Sequence, residues 1–295
     1  MSQSDVIPAP AGGAVRKTVS RSIGNILVDA GRLKIEDVGR ILRLQREKGL
    51  PFGDAAIQLE LITQADIDFA LSRQFGYSYL LRGQSKISQE VVAAYLPFSG
   101  QAESLRVLRS QLMLRWFDTD PGHKALAVVS AERGEGRSFI VANLAVVFSQ
   151  LGERTLIIDA DLRNPSQHRL FGLDNRAGLS AVLSGRAGRE AICHEESLLN
   201  LSILPAGPLP PNPTELLGRS LFRDLLRDLA GEYDVILIDT PATGGSPDSM
   251  LISTFAGSAL IIVRKNAARV WNVRGIVDGA MQTSTTLVGS LLNDF

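Results

Sequence analysis

The chain has 295 residues, 45% hydrophobic and 21% charged, which is too apolar for a disordered chain and long enough for one large domain plus a smaller one. Lysine plus arginine equals aspartate plus glutamate at 31 each, so no global basic field draws it to acidic lipid or nucleic acid, and no nucleic-acid partner is expected. Cys193 is the only cysteine, which excludes an intramolecular disulfide and a multi-cysteine metal site and suits a reducing cytoplasm.

Residues 1–20 are rich in Ser, Pro, Ala and Gly without periodicity; they are predicted to be an unstructured leader and lack a signal-peptide pattern. No apolar run approaches the roughly 20 residues of a membrane span, so a cytoplasmic location is expected, with any membrane contact supplied by a partner. From Arg21 the chain repeats itself at an offset of 29, pairing Gly24 with Gly53, Asp37 with Asp66, Leu42 with Leu71 and Gln45 with Gln74. Each copy reads as a short helix, a turn and a longer amphipathic helix, with Ile35, Val38, Ile41 and Leu42 spaced for one buried face. Thr63 and Asp66 have the spacing of a capping box. Two copies are too few for a solenoid, which predicts a small helical domain over 21–82. Residues 83–100, punctuated by Gly, Ser and Pro, are expected to be a linker.

Over 101–295 the pattern becomes a helix carrying Leu105, Leu108 and Leu112 on one face, then alternating strands and helices. Continuous apolar strands between helices predict a mainly parallel sheet covered on both faces, with ligands at the carboxyl ends of the strands. Asn212 and Pro213 read as the cap and first turn of a helix. The first strand runs into Gly134-Glu135-Gly136-Arg137-Ser138 and then Phe139, a glycine-bearing loop opening a helix. Backbone N–H groups there can converge on a phosphate, with Arg137 reaching the outer phosphates and the Ser138 hydroxyl reaching magnesium. Taken alone, such a loop is equally well a tight turn. Asp159 and Asp161 end the next strand and Asp239 ends a later one, so three carboxylates are expected to converge beside the phosphates and hold Mg2+. This reading of the residues reaches ATP and Mg2+. His123, His168 and His194 lack ligand spacing, and Cys193 has no catalytic partner in the sequence.

The segments SAERGEGRS, LIIDADLR and VILIDTP, with AESLRVLRS before them and LPAGPLPPNPTELL between, resemble the bacterial tyrosine autokinases that work with polysaccharide chain-length regulators, most of all the EpsG-type members. The resemblance implies a P-loop NTPase fold in which GEGRS is the Walker A segment, Asp159 and Asp161 with Arg163 the Walker A′ segment, and Asp239 the Walker B aspartate. It makes Arg137 and Asp161 the catalytic pair, Asp161 helping to activate a tyrosine hydroxyl. It implies that Glu103, Arg106 and Arg109 face outward and join subunits in a ring, and that a membrane polysaccharide copolymerase is the partner. Arg137 stands where the family carries lysine, keeping the charge but changing its shape. No tyrosine follows Tyr233, so autophosphorylation is expected to be absent or to fall on the N-terminal half.

The duplicated unit resembles the N-terminal domain of the secretion ATPase MshE, some relatives of which bind cyclic di-GMP. On that resemblance Arg21 would meet a guanine edge or a phosphate, Gly24 and Gly31 would admit a flat ligand, Leu27 would supply apolar surface, and Gly53 would act for the second copy. Leu50 replaces the second arginine and Glu60 the second turn glycine, and a docking repeat without ligand stands beside this reading. Two functions remain open: a protein-tyrosine kinase controlling polysaccharide export, and a nucleotide-switched scaffold that phosphorylates little.

Overall fold

The computed structural model describes residues 22–75, 80, 83 and 85–294 and divides into two compact units, Met1–Gly76 and Tyr77–Phe295. Arg21, Tyr77 and Tyr79 lie outside the described residues.

Among the described residues the first unit is four helices: α1 (Ile23–Asp29), α2 (Ile35–Lys48), α3 (Phe52–Gln58) and α4 (Gln64–Phe75). The repeat is visible in the backbone. Gly31 turns the first copy with φ +68° and Glu60 turns the second with φ +56°, so the same left-handed corner is made with and without glycine. The expected capping box forms: Thr63 N donates to Asp66 Oδ2 (2.9 Å) and Asp66 N to Thr63 Oγ1 (3.3 Å). Leu27, Leu33, Ile41, Ala55, Ala56, Ile62, Ile67 and Ala70 form the core. Both repeated glycines serve that packing, since a Cβ on Gly24 would lie 3.1 Å from the Phe52 ring and one on Gly53 2.6 Å from Ile67 Cδ1.

The second unit begins with α5 (Val92–Tyr95) and α6 (Gly100–Leu112), which ends in one π-helical turn over Met113–Phe117. Strands β1 (Ala125–Ser130), β2 (Thr155–Asp159), β3 (Cys193–His194), β4 (Leu201–Leu204), β5 (Val235–Asp239), β6 (Ser258–Arg264) and β7 (Thr286–Asn293) make one sheet in the order β3-β4-β2-β5-β1-β6-β7. Every pairing is parallel except β3 with β4. Between the strands run α7 (Arg137–Leu151), α8 (Gln167–Leu170), α9 (Leu179–Leu183), α10 (Pro213–Leu217), α11 (Ser220–Ala230), α12 (Asp248–Ala256) and α13 (Val270–Gln282). β1, β2 and β5 are buried along almost their whole length, as their unbroken apolar sequences require of a sheet covered on both faces. Leu105 and Leu112 are buried and Leu108 packs beside them. Pro213 opens α10 as expected, but the Asn212 side chain makes no capping hydrogen bond.

The expected linker is corrected. Ile87, Val91, Ala93, Ala94 and Tyr95 are buried in the core around α7, and Leu80 belongs to the same cluster. The buried Asn143 accepts from Ala93 N (2.9 Å) and donates to Glu90 O (2.9 Å), and Gln150 Nε2 donates to Ala93 O (3.1 Å). Residues 85–99 are therefore a strap bolted onto α7.

Candidate active site

The loop from β1 into α7 makes two left-handed corners, Gly134 at φ +79° and Gly136 at φ +93°, and places Gly136 at the N-cap of a fifteen-residue helix. These corners turn successive N–H groups toward one space at the helix's positive end, a cradle for phosphate. The carboxylate of Glu135 is buried and folds back to accept from Glu132 N (2.9 Å). Asn293 Nδ2 donates to Glu135 O (3.0 Å), tying the end of β7 to the loop.

Arg137 is buried and its fork is heavily engaged. Nε donates to Thr240 O (2.8 Å), Nη1 donates to Ser130 Oγ and to Glu132 O, and Nη2 lies 3.9 Å from Asp161 Oδ2. The guanidinium thus joins the carboxyl ends of β1 and β5, a task for which a single ammonium has too few fixed donors.

The three carboxylates gather at one end of the sheet, near enough that the charges of Asp239 and Asp161 both act on Asp159. Asp159 Oδ2 accepts from Ser166 N and Gln167 N (both 2.9 Å), and its Oδ1 accepts from Asp161 N (3.2 Å). Asp161 Oδ1 accepts from Asn164 N (2.9 Å). Asp239 Oδ2 accepts from Gln167 Nε2 (2.8 Å), while its Oδ1 is buried without a hydrogen-bond partner among the described residues. No cluster of three or more His, Cys, Asp or Glu among those residues has metal-holding geometry. Asp159 and Asp239 are register partners on adjacent strands. Burial, followed by the charge of Asp239, pushes the Asp159 carboxyl well above the usual range; burial also raises Asp239, against the pull of Arg137, Gln167 and Ser138. An orphaned carboxyl oxygen beside a hydroxyl at the head of the phosphate-binding helix fits a hard cation held by Ser138 and Asp239.

Two recesses flank the loop. A cavity of about 550 Å3 lies between α6 and the end of β7, lined by Leu105, Leu108, Gly136, Phe139, Leu291 and Asn293. A smaller cleft of about 300 Å3 on the other side is lined by Glu132, Arg133, Asp161, Arg163, Asn164 and Gly244. Sequence reasoning missed the first because nothing in the spacing links α6 to β7. It also missed Gln167, whose amide donates to both Asp239 and Ser138 O (3.1 Å).

Arg106 Nη1 pairs with Glu103 Oε2 (3.0 Å) within the helix and its Nη2 donates to Pro97 O; Arg109 Nη1 donates to Val147 O (2.7 Å). Both arginines are half-buried and Glu103 is exposed, and within the single chain the arginines bond to Glu103, Pro97 and Val147. In the first unit Gly24, Leu27 and Gly53 are buried in the packing, and Gly31 is exposed. His123 stacks on Trp116 with ring centroids 3.6 Å apart, and His194 Nδ1 meets Ser202 Oγ (2.9 Å). Half-buried His168 follows Gln167, with burial and then Arg169 lowering its imidazole below the ordinary value, while burial raises the Cys193 thiol.

Residues 122–293 match the family described as ParA: NUBPL iron-transfer P-loop NTPase. The tyrosine-protein kinase YwqD of Bacillus subtilis (strain 168) is 31% identical over 209 residues, covering 71% of this chain and 87% of the relative. CapB of Staphylococcus aureus is 32% identical over 200 residues, covering 67% and 86%. The kinase domain of the Escherichia coli tyrosine kinase ETK superposes with a TM-score of 0.68 at 28% identity, covering 72% of this chain and 82% of that one. With the loop, the strand-end aspartates and the sheet order in place, these likenesses establish that the chain belongs to the ParA-type P-loop NTPases and, among them, to the bacterial tyrosine-protein kinases.

Proposed function

We propose that the chain transfers the terminal phosphoryl group of ATP to a tyrosine of another protein, and that it does so in the control of polysaccharide polymerisation and export beside a membrane chain-length regulator. The observation that carries this reading is Asp161, which lines an open cleft next to the phosphate cradle and near the Arg137 guanidinium. The N–H groups of the loop would hold the phosphates and the 550 Å3 cavity would take the nucleoside. Ser138 and Asp239 would hold Mg2+, which supplies charge neutralisation on the phosphates. Asp161 would accept the phenol proton as the oxygen attacks, and the one guanidinium nitrogen without a backbone or hydroxyl partner, Nη2, would face the developing charge.

The scaffold reading is favoured by one observation: the Arg137 fork is committed to strand ends, which leaves less of it for the transition state. The two separate in one experiment, incubation of the purified protein with labelled ATP, magnesium and the cytoplasmic part of its membrane partner, followed by phosphosite mapping. Phosphotyrosine formed in catalytic amounts supports the kinase; bound nucleotide without transfer supports the scaffold.

Among the described residues no helix is long and apolar enough to cross a membrane; in this proposal the partner brings the chain to the inner membrane face. A ring of copies would require Arg106 and Arg109 to exchange Pro97 and Val147 for a neighbour. Light scattering on Arg106→Ala with Arg109→Ala tests it, an unchanged size distribution removing the contact. The duplicated unit is assigned to docking in preference to cyclic di-GMP, since the backbone approach and apolar surface that ligand needs are spent on packing α1 against α3 and α3 against α4. Calorimetric heat with cyclic di-GMP, lost in Arg21→Ala, would reverse that assignment.

A further inference from the structure

Two sequence segments that the reaction leaves without a task, Arg163 after the strand-end aspartates and Thr214 in PNPTELL, meet at a third residue. Asp248, at the start of α12, is buried with 1% of its surface exposed. Its Oδ2 accepts from Arg163 Nε (3.1 Å), its Oδ1 accepts from Thr214 Oγ1 (2.6 Å), and Thr214 Oγ1 accepts in turn from Arg163 Nη2 (3.0 Å). The Asp248 N–H donates to Ser246 Oγ (3.2 Å), at the rim of the cleft that holds Asp161.

Arg163 lines the same cleft and is half open to it, so Asp248 and Thr214 hold its guanidinium from the buried side. The start of the turn that carries Asp161 is held by Asp161 N donating to Asp159 Oδ1 (3.2 Å) and by Arg137 Nη2, 3.9 Å from Asp161 Oδ2; farther along it has a local bond from Asn164 N to Asp161 Oδ1 and the exposed contact of Arg133 Nη2 with Asn164 Oδ1 (2.7 Å). Arg163 adds a side-chain attachment to a second buried carboxylate, Asp248. We propose that Asp248 and Thr214 are positioning residues which, through Arg163, fix the 161–164 turn and so the place of the Asp161 carboxylate at the acceptor cleft. This rests on the kinase reading for its consequence in phosphoryl transfer, but not for its structural content.

The test is a double-mutant cycle in the full-length protein: Arg163→Ala, Asp248→Ala, the pair together, and Thr214→Val as the milder change should Asp248→Ala fold poorly. Two quantities are read. The first is amide hydrogen exchange over 161–167, which needs no turnover: each single variant speeds it about tenfold, Thr214→Val about threefold, and the double variant no more than Arg163→Ala. The second is steady-state transfer to a glutamate–tyrosine copolymer. There kcat falls about tenfold while KM for ATP stays within twofold, and the double variant again matches Arg163→Ala. Additive losses in the cycle, unchanged exchange at 161–167, or an equal loss of ATP affinity would overturn the proposal. A wild-type protein that binds ATP yet phosphorylates no tyrosine would instead overturn the kinase reading, and the exchange cycle would still decide the positioning role.

Discussion

At position 137 three donors of one guanidinium hold two strand ends together, and that geometry carries a prediction about rate. Arg137→Lys cannot satisfy Thr240 O, Ser130 Oγ and Glu132 O at once, so the ammonium is released toward the phosphates. Transfer is expected to rise about tenfold, on the order of 1.4 kcal/mol off the barrier, with a lower unfolding temperature as the strand ends lose their tie. Steady-state kinetics and a thermal scan of the same sample check both halves. Asp239→Asn should weaken magnesium-dependent ATP binding about tenfold, again roughly 1.4 kcal/mol, measured by calorimetry. The same change should stabilise the magnesium-free protein at neutral pH. Asp159 and Asp239 have folded-state values raised above their unfolded ones. As pH rises the unfolded chain gives up these protons first, so stability is full below the ordinary carboxylate range and is lost as pH climbs through the raised values. Removing one member of the pair should flatten that decline, and thermal scans across pH without magnesium will show whether the variant and wild type converge in acid.

Among the elements, the two copies of the helical repeat offer an internal control. Glu60 makes with φ +56° the corner that Gly31 makes with φ +68°. Glu60→Gly is expected to stabilise the first unit by about 0.5–1 kcal/mol, the relief of a left-handed side chain less the added freedom of the unfolded glycine. Slower hydrogen exchange in α1–α4 would report it, and Gly31→Ala should move exchange the other way. Thr63→Ala should cost about 1 kcal/mol by removing the cap of α4. Burial opposes ionisation of Asp66, but its hydrogen bonds to Thr63 and its contact with Arg32 win and lower it, so the stability this box supplies is present at neutral pH and lost as acid titrates the carboxylate. These elements were legible in the sequence because periodicity, caps and turn residues are local. What faced them was not. The spacing of Glu103, Arg106 and Arg109 shows that they share a side of α6, while the groups that meet them, Pro97 O and Val147 O, arrive from 9 and 38 residues away. Asp159 likewise reads as a strand-end carboxylate, while the main-chain N–H groups that fold back onto its Oδ2 come from 7 and 8 residues farther on.

On the scale of the molecule, the described tyrosines bear on what can be phosphorylated. Tyr95 is 3% exposed with its hydroxyl donating to Ile87 O, and Tyr233 is 8% exposed. Phosphotyrosine mapping after incubation with magnesium-ATP should therefore find neither in quantity, and find the main acceptor on a second protein. The parallel sheet and the nucleotide loop were readable from apolar runs ending in glycine or aspartate. The boundary between units was not, since Gly, Ser and Pro punctuate residues 83–100 as they would a tether, and Ile87, Val91, Ala93 and Ala94 show no period. That strap sets where the gene can be cut. A shortened chain starting at residue 100 keeps every nucleotide-binding motif yet strips the cover from α7, leaving Asn143 and Gln150 facing water beside bare apolar surface. Such a fragment should aggregate on expression, whereas one starting near residue 77 should stay in solution, and any natural exchange of the N-terminal module for another must carry the strap with the catalytic half.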